Sequence, residues 1–329
     1  MSSSTALSPR PGLVQRPEPV PRAYWISLAL WIAFTATIVT IVGVLLRLAT
    51  DKYDFSEPKL RESMAFTGKH LDVAFFGDSL TLEGVNPDVV DRKLNIESYN
   101  FALGGASILE SEMQLRYFLR HNPKPHLVAL GVYLNVPNKP AGVRPTLYFG
   151  LPDDLRTVFR DELFSHESVK IDRSFKLFNS IPAYRYRNTI DLLLKSLLSH
   201  DDQRPSFVKG QARVSFSRDP LLGRKHESVF KADELESFMD FCEKERIPVL
   251  LFEPPNHPGY SELTVNRAEI LEKVSRLAMK YPHARFVSFN GTFALGQAEW
   301  VNLNHLNIYG SATFSDLLST ALVSDFSSR

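Results

Sequence analysis

Three short runs of this chain are almost wholly apolar: Val73-Ala74-Phe75-Phe76, the stretch from Leu127 to Tyr133, and Val249-Leu250-Leu251-Phe252. A strand reads as an unbroken apolar run when both its faces are buried, as in a parallel sheet covered by helices. Segments with helical periodicity separate the runs, which constrains the chain to an α/β architecture. The pattern predicts strands at 71–76, near Tyr99–Ala102, at 127–133, at 248–253 and near Arg285-Phe286-Val287. Helices are predicted from Pro87 to Leu94 and at 107–120, 232–246 and 265–280, giving three layers with a parallel sheet in the middle.

The first apolar run stops at Gly77-Asp78-Ser79. Ligands of open α/β sheets bind beyond the carboxyl ends of the strands, and Ser79 falls at such an end. Gly77 permits backbone geometry closed to bulkier residues. Gly-Asp-Ser is also ordinary turn composition, so the local sequence leaves open a plain turn and a turn that presents a nucleophile.

A serine needs a base to act as a nucleophile, and histidine titrates near neutrality. Among nine histidines, His305 alone sits in a patterned polar loop, Asn302-Leu303-Asn304-His305-Leu306-Asn307-Ile308-Tyr309-Gly310, just before a helix with Phe314, Leu317, Leu318 and Leu322 at helical spacing.

Together these runs resemble the SGNH (GDSL-type) hydrolase and acyltransferase superfamily over roughly residues 70–135 and 245–325. Gly77-Asp78-Ser79-Leu80 is similar to its first block, which implies Ser79 as nucleophile and, through its N–H, an oxyanion donor. Asn100-Phe101-Ala102-Leu103-Gly104-Gly105-Ala106-Ser107 resembles the second block, which implies a second donor at Gly105, with Gly104 the neighbouring alternative. His305 resembles the general base of the last block. The implied fold is a flavodoxin-like α/β domain of three layers, with no cofactor and no metal.

The sequence departs from the superfamily pattern twice. An aspartate three residues before the histidine usually orients the imidazole, and Asn302 stands there. Glu253, at the end of a predicted strand, and Glu299, six residues before the histidine, are the other candidates for an orienting acid. The third block, Gly-x-Asn, places an amide in the oxyanion hole, but two residues beyond Gly131 comes Tyr133, so the nearest amide, Asn135, is either that donor displaced by a bulge or a loop cap before Pro137.

From Ala23 to Leu46 the chain carries no charge, and about 24 residues at 1.5 Å each span a bilayer core of roughly 30 Å. This predicts a transmembrane helix at 23–46, after a disordered cytoplasmic tail at 1–22 rich in Ser, Pro and Arg, and before a linker at 47–57. Arg10, Arg16 and Arg22 against Glu18 predict a cytoplasmic N-terminus, with the 58–329 domain outside the cell membrane. Residues 136–230 interrupt the α/β order with many prolines and aromatics and one helical run near Thr189–Leu198. They read as an insertion next to the active site, with sixteen basic and eleven acidic residues over 139–227.

A net charge of +1 gives no case for a nucleic-acid partner. Cys242 is the single cysteine, which excludes an intrachain disulfide, and its spacing with Leu235, Phe238 and Met239 puts it on an apolar helix face. No His/Cys/Asp/Glu cluster has metal-ligand spacing. His257 follows a predicted strand and reads as a loop residue.

The expected chemistry is acyl transfer through a covalent intermediate on Ser79. The resemblance extends to membrane-anchored proteins of alginate O-acetylation and D-alanyl teichoic acid transfer. It implies an acylated glycan or small ester as substrate, and envelope-biosynthesis membrane proteins as partners. A plain carboxylesterase or lipase-like hydrolase, and an inactive scaffold that binds envelope polymers, are the alternative expectations.

Overall fold

The computed structural model describes residues 21–53, 56–134, 181–185, 225–291 and 296–326. Five strands, β1 (Val73–Phe76), β2 (Ser98–Asn100), β3 (Leu127–Gly131), β4 (Val249–Glu253) and β5 (Ala284–Ser288), form one sheet. Their order is β2-β1-β3-β4-β5, and every neighbouring pair is parallel. This is the flavodoxin-like order, in which the chain leaves β1 toward opposite edges and opens a crevice at the β1/β3 carboxyl ends.

Alternate residues of each strand face opposite layers. Ala74, Phe76, Val128, Leu130, Val249 and Leu251 pack on one side with α5 (Ile108–His121), α7 (Ala232–Glu245) and α9 (Arg267–Met279). Val73, Phe75, Leu127, Ala129, Leu250 and Phe252 pack on the other side with α4 (Pro87–Leu94) and α10 (Ile308–Phe326). The three layers are therefore those the apolar runs predict. Cys242 is fully buried in the first cluster.

Strand boundaries differ from the sequence pattern where the run of apolar residues outlasts the pairing. β3 ends at Gly131, and Val132, Tyr133 and Leu134 continue past it as irregular, well-packed chain. Leu71 is buried too, but it precedes β1.

Helix α1 runs from Arg22 to Tyr53, so the 47–57 linker is helical over most of its length; α2 (Ser56–Met64) follows. Residues Arg22–Leu46 are long and apolar enough to cross a membrane, and nearly all are exposed. Within the 136–230 insertion the structure describes the short helix α6 (Pro182–Arg185), which packs on α1, with Ile181 beside Trp31, Thr35 and Val39. The run near Thr189–Leu198 and the 1–20 tail lie outside the described residues.

Candidate active site

The turn after β1 carries Ser79 on the first residue of α3 (Ser79–Gly84). Gly77 has φ +143°, a conformation that disfavours side chains, and a Cβ there would meet Thr81 Oγ1 at 2.3 Å. Gly131, at the end of β3, is as confined: its Cβ would stand 1.8 Å from the same hydroxyl. The two glycines let Thr81 fill the gap between the strand ends, which packs α3 tightly into the crevice. Asp78 caps the helix, accepting the Leu80 N–H at 3.0 Å.

Asn100, at the end of β2, holds the far end of α3. Its amide donates to the carbonyls of Thr81 (3.0 Å) and Val85 (2.9 Å), and its Oδ1 accepts the Ala102 N–H at 3.0 Å. The next turn is tied back to the Ser79 turn by a bond from Leu103 N–H to the Gly77 carbonyl at 3.1 Å. In that turn Gly105 has φ +68°, is exposed, and lines the same cavity as Ser79.

His305 is held at the tip of a small loop. Val301 N–H donates to the His305 carbonyl (2.9 Å) and Asn307 N–H to the Glu299 carbonyl (3.0 Å), with Trp300 and Leu306 bridged in antiparallel fashion. The imidazole Nε2 lies 2.9 Å from Ser79 Oγ, and Nδ1 lies 3.0 Å from Asn302 Oδ1. Asn302 Oδ1 also accepts the N–H groups of Asn304 (3.0 Å) and His305 (2.9 Å). Two backbone donors can face only the amide oxygen, which fixes the orientation of Asn302. An oxygen opposite Nδ1 requires the proton on Nδ1 and leaves the Nε2 lone pair toward the serine. The loop thus sets the tautomer a general base needs.

Burial lowers the His305 pKa to about 4. An aspartate at 302 would oppose that shift; the neutral amide does not. Two acids flank the serine. Asp78 is raised to about 6 by burial, against the pull of backbone N–H groups. Glu83 is raised to about 7 by burial and then by the Asp78 carboxylate.

Of the three candidate orienting residues, Asn302 is the one the structure brings to the imidazole. Glu253 is fully buried and committed elsewhere: it accepts Arg267 Nη2 at 2.6 and 2.7 Å and the Ser288 hydroxyl at 2.5 Å. Burial raises its pKa, and Arg267 opposes that. Glu299 enters the loop through its backbone carbonyl, while its carboxylate lies against Gly296. Tyr133 lines the cavity and donates to the Tyr260 hydroxyl at 2.9 Å. Asn135 lies outside the described residues. His257 caps a short helix, α8 (Pro258–Ser261), through Nδ1, which accepts the Gly259 N–H at 3.2 Å, and its own N–H donates to the Leu303 carbonyl. Among the described residues, no group of three or more His, Cys, Asp or Glu is placed to hold a metal ion.

The insertion expected beside the site reaches it at its end, just before α7, through residues that the pattern did not single out. Val229, Phe230 and Lys231 come to the Ser79 cavity from across the fold. The apolar pair Val229-Phe230 ahead of the helical pattern was the available signal, but nothing local gave its destination.

An α/β protein of flavodoxin-like strand order, with Ser79, His305 and Asn302 hydrogen-bonded in series at the carboxyl edge of its sheet, is the class that fold and site define. No family model and no curated protein matches the sequence. Solved structures similar to it include one described as a lipolytic protein of the G-D-S-L family from Desulfitobacterium hafniense, at 13% identity and TM-score 0.39, covering 76% of this chain and 98% of that one. A GDSL-like lipase from Bacteroides thetaiotaomicron matches at 10% identity and TM-score 0.37, over 83% of this chain and 98% of that one. A family two carbohydrate esterase from Clostridium thermocellum, in complex with cellohexaose, matches at 9% identity and TM-score 0.37, over 79% of this chain and 66% of that one. These overlaps are loose, and the chemistry rests on the geometry of Ser79, His305 and Asn302.

Proposed function

We propose that this chain is a membrane-anchored serine acyl-ester hydrolase or O-acyltransferase, acting outside the cytoplasm on cell-envelope polysaccharide or related esters. The observation that carries the reading is the 2.9 Å contact of His305 Nε2 with Ser79 Oγ, with the opposite ring nitrogen held at 3.0 Å by Asn302.

His305 Nε2 takes the Ser79 hydroxyl proton as Oγ bonds to the ester carbonyl carbon. The carbonyl π electrons move onto oxygen, which faces the N–H groups of Ser79 and Gly105; as first helical residue, Ser79 has no intrahelical acceptor for its own. The C–O bond to the alcohol then breaks, and His305 returns its proton to that oxygen. Water or a sugar hydroxyl, deprotonated by the same imidazole, then bonds to the acyl carbon; the ester bond to Ser79 breaks and His305 returns the proton to Oγ. Asn302 orients the ring and fixes its tautomer, and supplies no charge to the imidazolium. With the tautomer set but no carboxylate to stabilise the imidazolium, a slower enzyme than a Ser-His-Asp counterpart is the expectation here.

The apolar span Arg22–Leu46 supports the anchor, and the envelope substrate follows from the sequence resemblance together with that anchor. The test is to incubate the full chain in detergent with p-nitrophenyl acetate, with and without an oligosaccharide acceptor. Ester consumption that Ser79→Ala abolishes supports the reading, and the split between free acid and acylated sugar separates hydrolysis from transfer. Consumption equal in wild type and Ser79→Ala would remove it.

A further inference from the structure

Beside Ser79 lies a cavity of about 250 Å³. Ser79 and Gly105 stand in its lining, and Ile108 of α5, Leu130 of β3, Val229 and Phe230 form its apolar walls. His305 and Asn302 take no part in the lining. That asymmetry assigns the cavity to one half of the substrate. The imidazole must hand its proton to the leaving oxygen, so the alcohol lies on the His305 side of the serine. The acyl remainder then extends away from His305, into the cavity.

The polar side chains of the wall already have partners: Asp78 accepts the Leu80 N–H at 3.0 Å, and Tyr133 donates to the Tyr260 hydroxyl at 2.9 Å. Lys231 is ion-paired with Glu234, whose other carboxylate oxygen accepts the Leu109 N–H at 3.4 Å. Ser107 and Glu110 close a capping box at the start of α5, with Ser107 N–H to Glu110 Oε2 at 2.8 Å and Glu110 N–H to Ser107 Oγ at 3.2 Å. Ser111 donates its hydroxyl to the Ser107 carbonyl at 3.3 Å. A charged acyl group entering here would lose its hydration and find donors and acceptors already matched to one another.

We propose that the cavity is the acyl-binding subsite and that it takes a neutral, unbranched chain in preference to acetyl or a charged acyl group. This rests on the serine acyl-transfer reading of the same site. A space of about 250 Å³ exceeds what an acetyl group fills by several methylenes, so the preferred chain is of medium length. Burial of a methylene corresponds to about a fourfold gain, and partial filling of an open-ended cavity brings this to roughly twofold per carbon.

The test is kcat/KM of the full chain on p-nitrophenyl acetate, butyrate, hexanoate, octanoate, dodecanoate and hemisuccinate, beside labelling of Ser79 by a fluorophosphonate. The expected profile rises at least about 30-fold from acetate to octanoate, falls at dodecanoate, and leaves hemisuccinate below butyrate. Ile108→Trp should lower the octanoate-to-acetate ratio at least tenfold, and Phe230→Ala should move the optimum to longer chains. Should Ile108→Trp fail to fold, Val229→Trp at the exposed lip tests the same wall. A flat profile, an acetate maximum, or ratios unmoved in folded variants, with Ser79 labelled, overturns the subsite and leaves the serine mechanism standing. No turnover of any ester together with no labelling overturns both.

Discussion

Asn302→Asp places a carboxylate where an amide oxygen now sits 3.0 Å from His305 Nδ1 and holds two backbone N–H groups. The geometry survives the change, because every contact of Oδ1 is one in which it accepts. What changes is charge. With charge centres about 4 Å apart and an effective dielectric near 20, a carboxylate favours the imidazolium by about 4 kcal/mol. At 1.36 kcal/mol per pH unit this moves the His305 titration upward by about three units from its present value of about 4. The base is active when Nε2 is unprotonated, so activity falls as pH drops through that pKa. The acidic limb of kcat/KM therefore lies near pH 4 in the wild type and moves to near neutrality in Asn302→Asp. Above the new limb the carboxylate stabilises the imidazolium of the transition state, and about half of the Coulomb term surviving desolvation of the new acid gives roughly a 10- to 100-fold faster reaction at pH 9. The assay is a pH profile of p-nitrophenyl ester hydrolysis from pH 3.5 to 9.5 for both proteins. An acidic limb that stays in place with unchanged rate would mean that Asn302 does not govern the imidazole, and the relay as described would be wrong.

Two further predictions concern the frame around the serine. Gly131→Ala drives a methyl into Thr81 Oγ1 and is expected to destabilise the fold by about 1–3 kcal/mol in urea unfolding. Thr81→Ala removes the obstructing hydroxyl, which is buried with no hydrogen-bond partner among the described residues, so the double variant should recover at least about 1 kcal/mol of that loss. Additive effects would refute the contact. Glu83→Gln tests the raised carboxylate beside the nucleophile. Its folded pKa of about 7 exceeds its ordinary value of 4.5, so the penalty is absent near pH 4, grows between about pH 4.5 and 7, and is constant above. The variant should gain about 1–2 kcal/mol at pH 8.5 after solvent screening and nothing at pH 4, read as thermal midpoints at both pH values.

The parts of the fold legible in the sequence are those that burial writes as pattern. Val73–Phe76 and Val249–Phe252 have both faces covered, so their continuous apolar runs announce central parallel strands before any pairing is known. Helix Pro87–Leu94 was readable to the residue because Asn86 caps its start and Asn95 ends it in the left-handed conformation. β2 was the least distinct, three residues whose Asn100 serves α3 rather than the core. In the site, Ser79 and His305 stood out through their turns, and Asn302 through its spacing. The choice among Asn302, Glu253 and Glu299 did not follow from spacing, since the Arg267 and Ser288 partners that claim Glu253 lie 14 and 35 residues away. The Val229–Phe230 wall was hidden for the same reason: only the assembled sheet brings the start of α7 to the end of β1.

The central claim is that Ser79 is a nucleophile activated by His305, and covalent labelling tests it most directly. The full chain is treated with a fluorophosphonate probe, digested and mapped by mass spectrometry, beside Ser79→Ala and His305→Ala proteins whose thermal midpoints match the wild type. The account predicts a single adduct on the peptide containing Ser79, none in Ser79→Ala, and at least about 100-fold slower labelling in His305→Ala. An adduct on another residue, or none on a folded wild-type protein, would contradict it.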